Sequence, residues 1–364
     1  MWKTGKELLL QKFNIKTENM YTNWKSMPTG RQGMSRVKRY LPVVLLLLSI
    51  VLVLNSFVLN KNSLNDAFQD LFNKNYSIFA LTLPVELEFA GEEVPMKYFD
   101  IRENLDRELL VNTYWQSQTL LFIKRANRYF PLIEDILRKN DIPDDFKYLA
   151  LAESGLMQAV SPSGATGFWQ FLAGTARDYG LEVNKEVDER YNIEKSTEAA
   201  CKYLAESYSK YGNWTMVAAS YNNGRRGMDK QLKRQEEENY YDLLLNEETS
   251  RYLFRLLALK LILSDPQKYG FHFRADDLYP PILTRKVKVD SSITSMVRFA
   301  SFFNMNYKML KYFNPWLRET QLSNKDGKLY EISIPLEDFR SNVYHGEPLM
   351  PISPNGIEME KVRE

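Results

Sequence analysis

Residues 146–171 read FKYLALAESGLMQAVSPSGATGFWQF. Phe146, Leu149, Ala150 and Glu153 recur at helical spacing, so the carboxyl group points with apolar neighbours from the last turn of a short helix. Pro143 breaks the chain ahead of it, and Asp144 is expected to cap the new helix. Burial raises a carboxyl pKa, and a helix C-terminus disfavours the anion further. A glutamic acid kept protonated near neutrality can serve as a general acid. The plainer alternative is a buried glutamate that bonds a neighbouring loop. That loop follows directly, rich in small residues (Ser161, Ser163, Gly164, Ala165, Gly167) and closing on Trp169-Gln170-Phe171.

Outward from this stretch the pattern stays helical. Apolar residues near three and four apart predict helix over 104–140, with others over 196–211, 214–221 and 247–263. Ser196 is the expected start of the second and Gly212 its stop. Pro266 and the Pro280-Pro281 pair mark a linker, followed by strand, helix, helix and strand.

Composition narrows the chemistry. The 364 residues are 44% hydrophobic and 26% charged, ordinary for a globular chain and room for two or three domains. A net charge of +2 leaves no chain-wide basic footprint, so nucleic acid is not an expected partner. One cysteine, Cys201, excludes an internal disulfide. Two histidines, His272 and His345, argue against a multi-histidine metal site or relay. No metal or organic cofactor is suggested, so chemistry must rest on carboxylates, hydroxyls, amides or aromatics.

The charge is uneven. Residues 1–40 carry nine Lys/Arg against two Glu, and residues 41–59, LPVVLLLLSIVLVLNSFVL, carry no charge. As a helix this run approaches the roughly 30 Å of a bilayer core, and it is apolar all round. The flanking Arg36, Lys38 and Arg39 place the N-terminus in the cytoplasm and residues 60–364 outside it. A cleaved signal peptide fits less well, because the basic segment is long and no small-x-small site follows. The expectation is a single-pass membrane anchor in the inner (cytoplasmic) membrane, with the body in the periplasm.

Four phrases occur in order: FAGEEVPM, ESGLMQAVSPSGATGFWQFLAGTARDYGL, VDERYNIEKSTEAACKYL and GNWTMVAASYNNG, followed by EETSRYLFRLLAL from Glu247. Together they resemble the family 1 lytic transglycosylases, in the membrane-bound lytic murein transglycosylase D subgroup. The likeness runs from about residue 83 to 263. It implies a mainly α, lysozyme-like fold of the goose type with a groove for peptidoglycan glycan strands. It maps the catalytic acid onto Glu153, with Ser154 beside it. Gln170 and Asn222 would bond the sugar or orient the glutamate, Tyr252 would support the position of Glu153, and Tyr221 would pack or bind. Trp169 is the aromatic expected to line the groove. The glutamate would protonate the bond between N-acetylmuramic acid and N-acetylglucosamine, then take a proton from the muramic acid 6-hydroxyl as a 1,6-anhydro ring closes. The lipid-bearing cysteine common in that subgroup is missing, and the apolar segment stands in its place.

Residues 282–336 resemble a degenerate LysM module, with Asp290-Ser291-Ser292-Ile293 where Gly-Asp-Thr-Leu is usual. The expected layout is a basic cytoplasmic tail (1–40), an anchor (41–59), a spacer (60–82), the catalytic domain (83–265), a linker (266–281), the LysM-like module (282–336) and a tail (337–364). Asp188, Glu189 and Arg190 read as a capping ion pair rather than a second acid. Cys201 reads as a small core residue, and the basic run 225–234 as a solvated face. Two further readings stay open: a hydrolytic muramidase on the same groove, and an inactive membrane-anchored glycan-binding or scaffold protein.

Overall fold

The computed structural model describes residues 45–50, 66, 79–336 and 340. It divides into two units, 1–78 and 79–364. In the first, 45–50 is helical and its leucines are exposed. The remainder of the expected anchor, the 1–40 tail, most of the 60–82 spacer and almost all of the 337–364 tail lie outside the described residues. Among the described residues no helix is long and apolar enough to cross a membrane.

The second unit opens with a small antiparallel hairpin, β1 (Glu88–Phe89) and β2 (Glu92–Glu93). Two helices follow, α1 (Phe99–Tyr114) and α2 (Gln116–Lys139). The periodicity predicted one continuous helix here, and the break falls at Trp115, whose ψ of 56° leaves the helical range. Its N–H still donates to the Val111 carbonyl, at 3.0 Å, so the last turn of α1 closes through the break. Along α2 the side chains of Thr119, Phe122, Ile123, Ala126, Phe130, Ile133 and Leu137 are buried, the stripe that an amphipathic helix turns to its core.

A 3-10 turn at Asp144–Phe146 runs into α3 (Lys147–Ser154). Asp144 does not cap this helix as expected. Its carboxylate pairs with Lys147, and Phe146 holds the cap position of α3 without a side-chain bond. After α4 (Ala173–Asp178) comes α5 (Ile193–Tyr211), which starts three residues before the expected Ser196 because Asn192 is the cap, accepting from the Lys195 N–H at 3.1 Å. Then come α6 (Trp214–Asn223), α7 (Arg225–Gln235) and α8 (Glu247–Ser264). Asn246 caps α8 through the Thr249 N–H, and Glu247 and Glu248 sit in its first turn, where the helix dipole favours them.

Helix α8 is the central post. Leu253, Phe254, Leu256, Leu257, Ala258, Leu259 and Ile262 are all buried, and the helix packs against α1, α3 and α6. Cys201 is in this core too. The β1–β2 hairpin caps α6: the Glu92 carboxylate accepts from the N–H groups of Trp214 and Thr215, at 2.6 and 2.9 Å, and from the Thr215 hydroxyl.

Residues 266–281, the expected linker, fold into 3-10 turns at Pro266–Tyr269 and Ala275–Asp277, and Tyr269 and Phe271 join the core built around α8. Arg128 and Asn127 of α2 donate to the carbonyls of Pro280 and Tyr279. Beyond it β3 (Thr284–Val289) pairs antiparallel with β4 (Tyr330–Pro335), in the register Thr284↔Pro335 to Val289↔Tyr330. Helices α9 (Met296–Phe302) and α10 (Tyr307–Phe313) lie between them in sequence, in the strand-helix-helix-strand order expected. Met296, Ala300, Leu310, Trp316, Ile332 and Ile334 form this module's core.

Candidate active site

Glu153 lies one residue from the end of α3. Gly155 terminates the helix in the left-handed region at φ 61°, and its N–H donates to the Leu151 carbonyl at 2.8 Å. A Cβ at Gly155 would stand 2.7 Å from the Phe122 ring, so glycine is required for both backbone and space. Ser154, buried beside the glutamate, donates to Ala150 O at 3.1 Å or to Phe168 O at 3.0 Å, joining α3 to the loop that follows.

The Glu153 side chain is set among packed residues yet keeps an accessible edge. The hydroxyl of Tyr252, a residue 2% exposed on α8, donates to its Oε1 at 2.5 Å. Burial pushes the Glu153 carboxyl up to about 7, outweighing the Tyr252 bond and the Arg255 charge, which both lower it. Nearby Glu248 raises it further. With Tyr252 engaging Oε1, Oε2 remains to carry a proton. The Tyr252 and Tyr221 phenols are themselves pushed far above their ordinary value, by burial first and then by the Glu153 charge, so both remain neutral donors.

The other expected residues divide. Tyr221 on α6 donates to the Trp169 carbonyl at 2.7 Å, which fixes the loop against that helix. Asn222 is bound to the start of α8: its Oδ1 accepts from the Thr249 hydroxyl at 2.9 Å and its Nδ2 donates to Glu248 at 3.2 Å. Gln170 takes φ 47°, and its Nε2 donates to the carbonyls of Ala159 and Gly167, so this amide knits its own loop. Trp169, expected in the groove, is instead a core residue. It is fully buried, and its indole N–H donates to Thr197 at 2.8 Å. A ring enclosed in this way cannot stack on a sugar.

A charged cluster behind Tyr252 escaped the sequence reading. Glu108 of α1 is 1% exposed and meets Arg251 at 2.6 Å and Arg255 at 3.7 Å. These arginines flank Tyr252 on α8, so the cluster fixes the rotation of the helix that carries the Glu153 donor. A signal was present: Glu108 lies among the apolar positions Leu105 and Leu109, where a charge requires a partner.

Asp188 and Arg190 form a bidentate pair at 2.9 and 2.7 Å, and Asp188 accepts from the Arg190 N–H, the capping arrangement expected of them. On α7, Arg225 pairs with Glu206 and Tyr179, while Arg226, Lys230, Lys233 and Arg234 are exposed.

Residues 131–244 match the transglycosylase SLT domain, and residues 285–338 match the soluble lytic transglycosylase C-terminal LysM-like domain. The chain is 28% identical, over 243 residues, to the membrane-bound lytic murein transglycosylase D of Escherichia coli K12, covering 64% of this chain and 52% of that protein. The protein of the same name from Escherichia coli O6:H1 gives the same figures. A putative tributyltin chloride resistance protein of Alteromonas sp. strain M-1 is 26% identical over 113 residues, 30% of this chain and 55% of its own. The chain thus spans about half the length of these curated relatives.

Proposed function

The chain carries a transglycosylase SLT domain followed by a LysM-like domain, and on that premise we propose that it is a lytic transglycosylase of peptidoglycan. The observation that carries this reading is the Glu153 carboxyl, buried, held by Tyr252 and raised to about 7. Near neutrality such a group is present in both protonation states, which suits one residue to act as acid and then base.

In the first half-step Glu153 Oε2 gives its proton to the glycosidic oxygen as the bond from that oxygen to the muramic acid anomeric carbon breaks. The positive charge that develops on the sugar is countered by the new carboxylate. In the second half-step the 6-hydroxyl of the same sugar attacks the anomeric carbon, and its proton returns to Glu153. The products are a free N-acetylglucosamine 4-hydroxyl and a 1,6-anhydromuramic acid end, with no water consumed. An internal nucleophile gains an effective molarity that bulk water lacks. Tyr252 stabilises the carboxylate more than the acid, so its bond tightens as the proton departs. Ser154 and Tyr221 hold the loop that borders the glutamate, Gln170 braces that loop from within, and Asn222 is the amide assigned to the sugar.

The catalytic body is assigned to 83–265 and the glycan-associated module to 282–336. The uncharged run at 41–59 is assigned as a single-pass anchor in the inner membrane, with 1–40 cytoplasmic and the body on the periplasmic side. Its support is the charge asymmetry across the run and a relative whose name is membrane-bound.

The test is digestion of purified peptidoglycan by residues 61–364, with muropeptides resolved by liquid chromatography and mass spectrometry. Ends in 1,6-anhydromuramic acid are expected. Reducing ends, one water heavier, would make the enzyme a muramidase. Binding without any product from folded protein would place it among glycan-binding scaffolds.

A further inference from the structure

The LysM-like module is joined to the catalytic body by more than the chain between them. Val187 pairs antiparallel with Leu317, the Asp188 N–H donates to Trp316 O at 2.9 Å, and the Arg318 N–H donates to Glu186 O at 2.7 Å. The segment 186–188 is therefore bridged backbone to backbone with residues 316–318 of the module, outside its two-stranded sheet. Side chains extend the contact. Glu186 accepts from the Ser323 N–H at 2.6 Å and from its hydroxyl, Glu182 accepts from Lys328 and from the Tyr330 hydroxyl, and the Arg318 guanidinium lies 4.1 Å from the Tyr191 ring centroid. Val187 and Tyr191, which belong by sequence to the catalytic domain, are buried in the module's core.

The opposite side of this segment grips the loop of the active site. Arg190, steered by Asp188, donates to the carbonyls of Gly164 and Phe171, at 3.0 and 3.1 Å, and so pins both ends of the turn. Gln158 donates to Tyr191 O at 2.9 Å. Gly167, at φ 82°, lies so close that a Cβ there would fall 2.0 Å from Arg190 O. The pinned loop in turn supplies Phe168 O to Ser154 and Trp169 O to Tyr221.

We propose that the C-terminal module is part of the frame of the active site: docked on 186–188, it holds Asp188 and Arg190 as positioning residues for the 159–171 loop, and through that loop for Ser154 and Tyr221 around Glu153. The role in turnover rests on the transglycosylase reading, whereas the mechanical coupling does not. It differs from a tethered glycan-binding module, which would change the capture of long strands and leave the chemistry untouched.

The experiment uses the triple variant Glu182→Ala, Glu186→Ala and Arg318→Ala in the full chain. It compares amide hydrogen exchange with turnover of a short peptide-free glycan. The expected result is about tenfold faster exchange at Thr166 and Gly167 with α8 amides unchanged, since opening becomes local rather than global. With it, kcat falls by about tenfold or more while KM stays within about threefold, as when a site loosens around bound substrate. Unchanged loop exchange and kcat, with only a raised KM on long strands, would overturn the proposal in favour of a tether. If neither protein turns over any glycan, the functional reading fails and the exchange rates alone still decide the coupling. If the triple variant loses its cooperative melt, Arg318→Ala decides in its place. That change leaves the backbone pairing intact, and about threefold faster exchange at Thr166 and Gly167 is expected. Wild-type rates there would overturn the proposal.

Discussion

Replacing Glu153 by glutamine should stabilise the protein while abolishing turnover, and the stabilisation should depend on pH. The folded state raises this carboxyl from an ordinary 4.5 to about 7. A raised value means that the native state binds the proton more tightly than the unfolded chain does. Stability is therefore full below about 4.5 and declines as pH rises, until the group is ionised in both states above about 7. At about 1.36 kcal/mol per pH unit the accumulated cost at pH 8 is about 3 kcal/mol. Glutamine has nearly the same shape, still accepts from the Tyr252 hydroxyl and never ionises. Urea unfolding of both proteins at pH 4, 6 and 8 should give equal stabilities at pH 4 and a variant ahead by about 3 kcal/mol at pH 8. A gain that is the same at every pH, or no gain at pH 8, would refute the claim that burial holds this acid protonated. Normal activity in the variant would remove Glu153 from the mechanism altogether.

Tyr252→Phe removes a donor that favours the carboxylate, so the Glu153 pKa should rise. The descending alkaline limb of kcat/KM should then move up by about one to two pH units, a charged hydrogen bond being worth about 1.5–3 kcal/mol, and a limb that stays put or moves down would contradict it. Glu108→Gln leaves Arg251 and Arg255 facing an uncharged group inside the fold and should lose about 3 kcal/mol in denaturant unfolding. A loss under about 1 kcal/mol would mean that water already screens the cluster. Gly155→Ala meets both a left-handed backbone and the Phe122 ring, and should lower stability by about 2 kcal/mol in the same assay. A neutral outcome would show that the ring moves aside without cost.

What could be read from the amino acids follows how local the cause is. The placement of Glu153 on an apolar face needs only the spacing of Phe146, Leu149 and Ala150. The ends of α6 and α8 and the strand order of the module are similarly local. Tyr252 against Glu153 is a contact 99 positions apart. Spacing cannot give it, and only the resemblance brought the two together. Trp169 was misjudged because a tryptophan in a small-residue loop has the same local signature whether it faces a groove or a core. Its partner Thr197 lies on another helix. Gln170 is expected to bond the sugar or to orient the glutamate, and at φ 47° its Nε2 donates to carbonyls of its own loop, a local geometry that spacing does not reveal. The break at Trp115 is a change of ψ at one residue, to which helical periodicity is blind. The prolines that suggested a linker do end regular structure, yet they do not tell whether the turns between them pack.

The hairpin at the start of the body sets where a gene fragment can be cut. Residues 131–244 cover the SLT match, but Glu92, Glu108 and Tyr252 all fall outside that span. A fragment limited to the match would keep the acid but lose the phenol that binds it. It would also lose the carboxylate that closes the first turn of α6. The heritable unit of this protein is thus wider than its most recognisable segment. Recombination or truncation that respects the recognisable borders would transmit Glu153 without the surroundings that set its acidity.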